Sequence, residues 1–161
     1  MKYLCLLNIE TDGFSATVPD FGNSIIASAD TRDEIIQLTR EALALYLHEL
    51  SEMLEPRILK LKDVSAEMLE DFDNPEAVMI EPMPMNPVSL EVERIIERSD
   101  LTLAVLAKRM GTSPAALVRM KNPFYWGQSL ETLRKLADAT NARLEVHFKK
   151  QRKPSTASTT V

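Results

Sequence analysis

The stretch Thr102-Leu103-Ala104-Val105-Leu106-Ala107-Lys108-Arg109-Met110-Gly111-Thr112-Ser113-Pro114-Ala115-Ala116-Leu117-Val118-Arg119-Met120 has a mechanical reason at almost every position. Thr102 is a capping residue type, able to accept a hydrogen bond from a backbone N–H of the turn that follows. Leu106 and Met110 stand four apart and share one helical face, and Ala107 is small enough for a second helix to cross closely. Gly111 is the type that tolerates the left-handed conformation of a sharp turn. Ser113-Pro114 then restarts the chain, because serine caps and a proline at the first helical position gives up an N–H that would lack a partner anyway. Leu117 and Met120 return the second helix onto the first. The pattern predicts two short helices joined by a tight turn.

Upstream, Leu90, Val92, Ile95 and Ile96 fall within Ser89 to Arg98 and predict an amphipathic helix capped at Ser89. Downstream, Asn122-Pro123-Phe124-Tyr125-Trp126-Gly127 concentrates aromatics in a loop, where anchoring on its own domain is a commoner outcome than stacking on a partner. Arg143 to Phe148 alternates like a strand. In an otherwise helical domain such a strand lacks a mate and would pair with its copy in a dimer. These elements define an all-α domain over residues 88–148 with a short C-terminal strand. Residues 149–161, basic and then Ser/Thr-rich, are expected to be disordered.

Before this domain, Pro82-Met83-Pro84-Met85-Asn86-Pro87 places three prolines in six residues, which favours an extended linker. Residues 1–81 read as an α+β domain. Lys2 to Glu10 alternates Tyr3, Cys5, Leu7 and Ile9 on one face, with Leu4 and Leu6 making the other face apolar too, as in a central strand. Two turn signals, Thr11-Asp12-Gly13 and Pro19 to Asn23, separate strands at Phe14 to Val18 and Ser24 to Ser28, giving a three-stranded antiparallel meander. Thr31 and Glu34 form the pattern of a capping box. Behind it Ile35, Leu38, Ala42, Leu43, Tyr46, Leu50 and Met53 recur at helical spacing in a helix ending near Glu55-Pro56. A short helix within Ser65 to Phe72 and a fourth strand at Ala77 to Glu81 complete the expectation.

The charge is divided between the halves. Residues 1–87 hold 6 Lys/Arg against 17 Asp/Glu, a balance of −11, while residues 88–161 hold 13 against 7, a balance of +6; together they make the −5 of the whole chain. A basic module is attracted to phosphate, and an acidic one repels it or meets a basic protein. Two solvated surfaces of unlike composition would give the same figures. At 161 residues the chain can bury two small cores. It has no apolar run of membrane-spanning length and no secretory signal pattern, so a soluble cytoplasmic protein without membrane contact is expected. The lone Cys5 reads as a core residue rather than a redox group.

The Leu106-Ala107, Gly111 and Ser113 to Met120 arrangement, followed by Ser129-Leu130-Glu131-Thr132-Leu133-Arg134-Lys135-Leu136-Ala137, resembles the lambda-repressor-like, or Xre-type, helix-turn-helix family over about 50 residues. The resemblance implies that the second helix of the motif enters the major groove of operator DNA. It makes Ser113, Ala115, Val118 and Arg119 the groove-facing candidates and Lys121, Asn122 and Lys108 the phosphate contacts, with Arg119 the best base reader because its planar fork suits a guanine edge. Leu103-Ala104-Val105 replaces the polar residue common after the threonine cap, and Pro114-Ala115-Ala116 offers no side-chain hydrogen bonds. A purely structural helical domain is the competing reading, and dimerisation is what a two-fold operator would require.

Tyr3 to Glu10, Asp12 to Phe21, and Ala29 to Glu34 leading into Glu41-Ala42-Leu43-Ala44-Leu45-Tyr46-Leu47 resemble the HicB antitoxin domain, over about residues 1 to 81. That resemblance implies a truncated ribonuclease-H-like fold without ribonuclease activity. It also implies a partner, a HicA-like toxin that is small, basic and cleaves mRNA, and a repressor role at its own operon. No catalytic set is legible. His48 and His147 fall on different domains, and no metal spacing or phosphate-cradling glycine loop occurs, so neither an enzyme nor a cofactor is expected. Asp12, Asp20, Asp30 and Asp33 could converge around a metal at strand ends, but turn acids that cap backbone N–H groups explain them more economically. A stand-alone transcription regulator with an acidic sensing or oligomerisation domain, and an interaction protein with a degenerate helix-turn-helix, are the alternatives.

Overall fold

The computed structural model describes residues 1–50 and 54–150. The architecture is mixed α+β, and the chain divides into two compact units, residues 1–90 with 122–126, and residues 91–121 with those from 127 onward.

The first unit is built on a four-stranded antiparallel sheet in the order β3-β2-β1-β4, with β1 at Tyr3–Glu10, β2 at Gly13–Thr17, β3 at Ile26–Ala29 and β4 at Glu76–Ile80. The meander and the fourth strand follow the sequence expectation. β1 lies between β2 and β4, and both of its faces are covered, which is why both are apolar. Tyr3, Cys5 and Leu7 pack with Ala16, Val18, Ile25 and Ile80 in one core, against helix α1 (Arg32–Glu49), which contributes Ile35, Leu43 and Leu47. Leu4 and Leu6 face the other way, into a smaller cluster with Ile58, Val64, Met68, Leu69 and Phe72. A short helix, α2 (Ala66–Leu69), capped by the Ser65 hydroxyl, belongs to this covering segment. Ile9, expected on the core face, is 72% exposed because it sits at the open end of β1.

At β2 the chain turns on Gly13, whose φ is +148°. A Cβ there would stand 2.6 Å from the Ala29 carbonyl oxygen, so the approach of β2 to β3 needs glycine. The turn from Pro19 to Asn23 is a pair of 3-10 turns bent at Gly22, and it carries Phe21 between Tyr3 and Tyr46 at ring-centroid separations of 5.6 and 5.0 Å.

Thr31 caps α1 by accepting from the Glu34 N–H; among the described residues the reciprocal bond of a capping box is not formed. The buried stripe of α1 differs from the expected one. Leu38 and Leu50 are exposed, and Met53 lies outside the described residues. Thr39 and Leu47 are buried instead, and the Thr39 hydroxyl is satisfied by donating to the Ile35 carbonyl at 2.7 Å. α1 ends at Glu49, short of Glu55-Pro56. Beyond it Leu54 packs against the core, and its carbonyl accepts the hydroxyl of buried Tyr3. Arg32 at the start of α1 forms a forked ion pair with Glu76 of β4, which holds the Glu76 carboxyl below its usual range through the hydrogen bond.

Cys5 is fully buried, and burial pushes its thiol up to about 12, with the charge of Glu76 adding to the effect. A group so raised stays a neutral thiol at neutral pH. Native protein is therefore expected to release no chromophore from Ellman's reagent at about pH 8, and one equivalent once unfolded in guanidinium. Rapid reaction of the native protein would contradict this burial.

The Pro-rich stretch is held rather than loose. Arg40 donates to the Glu81 carbonyl and accepts the Met83 N–H on its own carbonyl, at 2.9 and 3.0 Å. Helix α3 spans Pro87–Arg98, three residues earlier than a Ser89 cap allows. Asn86 caps it, accepting the Val88 N–H at 2.9 Å, and Pro87 takes the first position. Ser89 is buried and donates to the Tyr125 carbonyl instead. The Asn86 amide donates to the same carbonyl and its backbone N–H to that of Pro123, so the aromatic loop anchors on its own unit.

The second unit is helical among the described residues: the later part of α3, then α4 (Leu103–Met110), α5 (Pro114–Lys121) and α6 (Leu130–Ala139). Val92, Ile96, Leu106, Ala107, Met110, Leu117, Met120 and Leu136 form its core. The expected strand at Arg143 to Phe148 is not formed. Residues 141–150 are exposed and irregular, with Phe148 at 98%, because a strand exists only as part of a ladder and none of the described residues of this unit supplies a second strand. Of the expected disordered tail, residues 151–161 lie outside the described residues. No helix of the described residues is long and apolar enough to cross a membrane.

Candidate nucleic-acid interface

α4 begins at Thr102, whose hydroxyl accepts the Val105 N–H at 3.3 Å. It ends at Gly111 in the left-handed conformation, φ +65° and ψ +37°. The Gly111 N–H returns to the Lys108 carbonyl and the Thr112 N–H to that of Ala107 at 2.9 Å, which closes the helix and reverses the chain within a few residues. Ser113 then caps α5, its hydroxyl accepting the Ala116 N–H at 3.2 Å, with Pro114 at the first helical position.

α5 is held by its inner face. Leu117 is fully buried and Met120 nearly so, packed with Leu106, Ala107 and Met110 of α4 and Leu136 of α6. The side chains between them look outward: Ser113, Ala115, Val118 at 57% and Arg119 are all exposed. Of these four groove-facing candidates, Ala115, Val118 and Arg119 share one solvent-facing strip of a single short helix, and Ser113 is exposed at the cap that precedes it. A helix presents neighbours three and four residues apart on one side, so fixing Leu117 and Met120 inward fixes this strip outward. Its hydrogen-bonding capacity is concentrated in the Arg119 guanidinium and the Ser113 hydroxyl, with methyl groups from Ala115 and Val118 between them.

The flanking cations are less uniform than their sequence spacing suggests. Lys108 is exposed and forms no ion pair among the described residues. Arg109 donates to the Ala139 carbonyl at 3.1 Å, satisfying the end of α6. Lys121 is half-buried and pairs with Glu93 of α3 at 3.3 Å. Asn122 belongs with the first unit and turns its side-chain oxygen to the Phe124 N–H at 2.8 Å. Thus two of the three expected phosphate contacts already hold the fold. Gln128, which sequence reasoning passed over, caps the end of α5 by donating to the Met120 carbonyl at 3.2 Å.

Among the described residues no group of three or more His, Cys, Asp or Glu is placed to hold a metal ion. Asp20 shows the turn role expected of these acids: one oxygen accepts the N–H groups of Arg57 and Ile58 at 2.8 and 3.1 Å. Asp12, Asp30 and Asp33 are exposed. The sequence matches no protein-family model and no curated protein.

Proposed function

We propose that this chain is an antitoxin-like repressor, with α5 as the recognition helix of a helix-turn-helix module and the acidic first unit as the module that masks a basic, HicA-like, mRNA-cleaving toxin. The observation that carries the DNA half is the exposed strip Ala115, Val118 and Arg119, with Ser113 exposed at the cap, on a helix whose opposite side is locked into a core. Such a strip fits the major groove as a rigid body, and the surplus of cations in residues 88–161 supplies attraction to phosphate. As a dimer the protein would match a two-fold operator.

The toxin half is supported by the HicB-like sequence pattern of residues 1–81 and by their charge. An acidic surface favours encounter with a basic RNA-binding protein and competes with RNA for the same cations. No cofactor and no catalytic step is part of the proposal.

The test is co-expression of the full chain with the product of the small open reading frame beside its gene, with growth and co-purification as readouts. A neighbour that arrests growth alone, is silenced by this chain and co-purifies with it is the expected result. A harmless or non-binding neighbour would shift the assignment to a stand-alone transcription regulator.

A further inference from the structure

The two faces of the sheet in the first unit are covered unequally. On the outer face, register places Ile26, Thr17, Leu6 and Ala77 in one cross-strand row and Ser28, Ser15 and Asn8 in the next. The segment carrying Ile58, Val64, Met68 and Phe72 packs on Leu4 and Leu6 of β1. It leaves a cleft of about 490 Å³ beside it, floored by β1 and β2 and walled by α2 and the end of β3. That is within the roughly 300 to 1,000 Å³ of ligand-sized pockets.

Three features of its lining point the same way. Glu10, Glu67 and Asp71 are its charged groups, with no lysine, arginine or histidine among them. The side-chain oxygen of Asn8 is buried there without a hydrogen-bond donor, on a strand position where the preceding outward residues, Leu4 and Leu6, are apolar. Ile26 is 66% exposed at the rim and Phe72 is half-buried beside it, giving the cleft an apolar wall. A lysine or arginine side chain suits this lining, with an aliphatic stem for the wall and a cation for the carboxylates above a floor that Asn8 and Ser15 make polar.

We infer that this cleft is a docking site for a basic partner protein, which inserts an arginine or lysine side chain over the outer face of β1 and β2. The inference rests on the reading of the first unit as a protein-binding module and assigns that reading a place and a chemistry. The acids of α1 lie elsewhere and are not part of it.

The experiment is an NMR titration of the full chain with a tetra-arginine peptide, following backbone amide signals. Saturable shifts centred on Asn8, Ser15, Ile26 and Glu67 are expected. They should weaken about tenfold in Glu10→Gln/Glu67→Gln/Asp71→Asn but persist in Asp33→Asn/Glu49→Gln/Glu55→Gln, a control of equal charge change. Ile26→Lys, at an exposed position, should place a cation of the chain's own at the mouth and also abolish the shifts. Should the cleft triple misfold, Ile26→Lys decides alone. Shifts spread over all acidic surfaces, or equal loss in the two triples, would overturn the inference. So would a toxic neighbour protein whose affinity neither the cleft triple nor Ile26→Lys alters, although the antitoxin reading would then stand. Peptide shifts as expected with no binding neighbour would keep the cleft and remove the antitoxin reading.

Discussion

A Val118→Glu variant is expected to keep its fold and to lose affinity for the duplex upstream of its own reading frame by a factor on the order of 100 or more. The side chain is 57% exposed on α5, so its replacement opens no cavity, and exposed helix positions usually change stability by less than about 0.5 kcal/mol. In a DNA groove the same site would place a carboxylate among phosphates. Like-charge juxtaposition at an interface costs several kcal/mol, and about 1.4 kcal/mol is a factor of ten. Val118→Gln, isosteric with the glutamate but neutral, should lose far less. The measurement is fluorescence anisotropy of labelled duplex at fixed ionic strength. Affinity unchanged in Val118→Glu would take α5 out of the interface. This substitution is cleaner than neutralising Arg109 or Lys121, because those two also hold the Ala139 carbonyl and Glu93. Lys108→Ala, by contrast, removes a cation with no ion pair among the described residues, and should flatten the salt dependence with little change in stability.

Leu117→Ala, one residue away, is expected to do the reverse. Leu117 is fully buried in the cluster of Leu106, Ala107, Met110 and Leu136, and deleting it removes the main contact between α5 and the rest of the unit. Truncations of this kind cost about 2 to 5 kcal/mol, because lost transfer energy and the unfilled cavity add. The second unit has one small core, with Leu117 fully buried in it, so this loss should unfold it at moderate urea while the sheet of the first unit persists. Hydrogen exchange of amides in α4 to α6, compared with those of β1, separates the two units, which a single melting curve does not. Val118→Ala serves as the paired control and should stay within about 0.5 kcal/mol of the parent. Similar costs for the two substitutions would mean that α5 does not present the face described.

The local punctuation of the chain was readable because it is local chemistry. Thr31, Thr102 and Ser113 cap helices, and Gly111 takes the left-handed turn, through bonds that span only a few residues. The doubly apolar Tyr3–Glu10 likewise announced a strand covered on both faces, and it stands second in the sheet. The candidate strip on α5 followed from the same periodicity that buried Leu117 and Met120.

What the sequence left open depends on residues far apart in the chain. The Leu54 carbonyl beyond α1 is claimed by Tyr3, and α3 begins at Pro87 because Asn86 and Ser89 are engaged by the 123–125 loop. Arg143 to Phe148 alternates as a strand should, yet alternation supplies side-chain faces and not the neighbouring backbone a strand requires. By itself, then, the sequence determined the capped helices, the tight turn and the central strand, whose causes lie within a few residues. Only the tertiary structure decided which cations face solvent, where helices begin and end, and that a cleft rimmed by acids opens beside α2, because each is fixed by packing between segments that no local pattern relates.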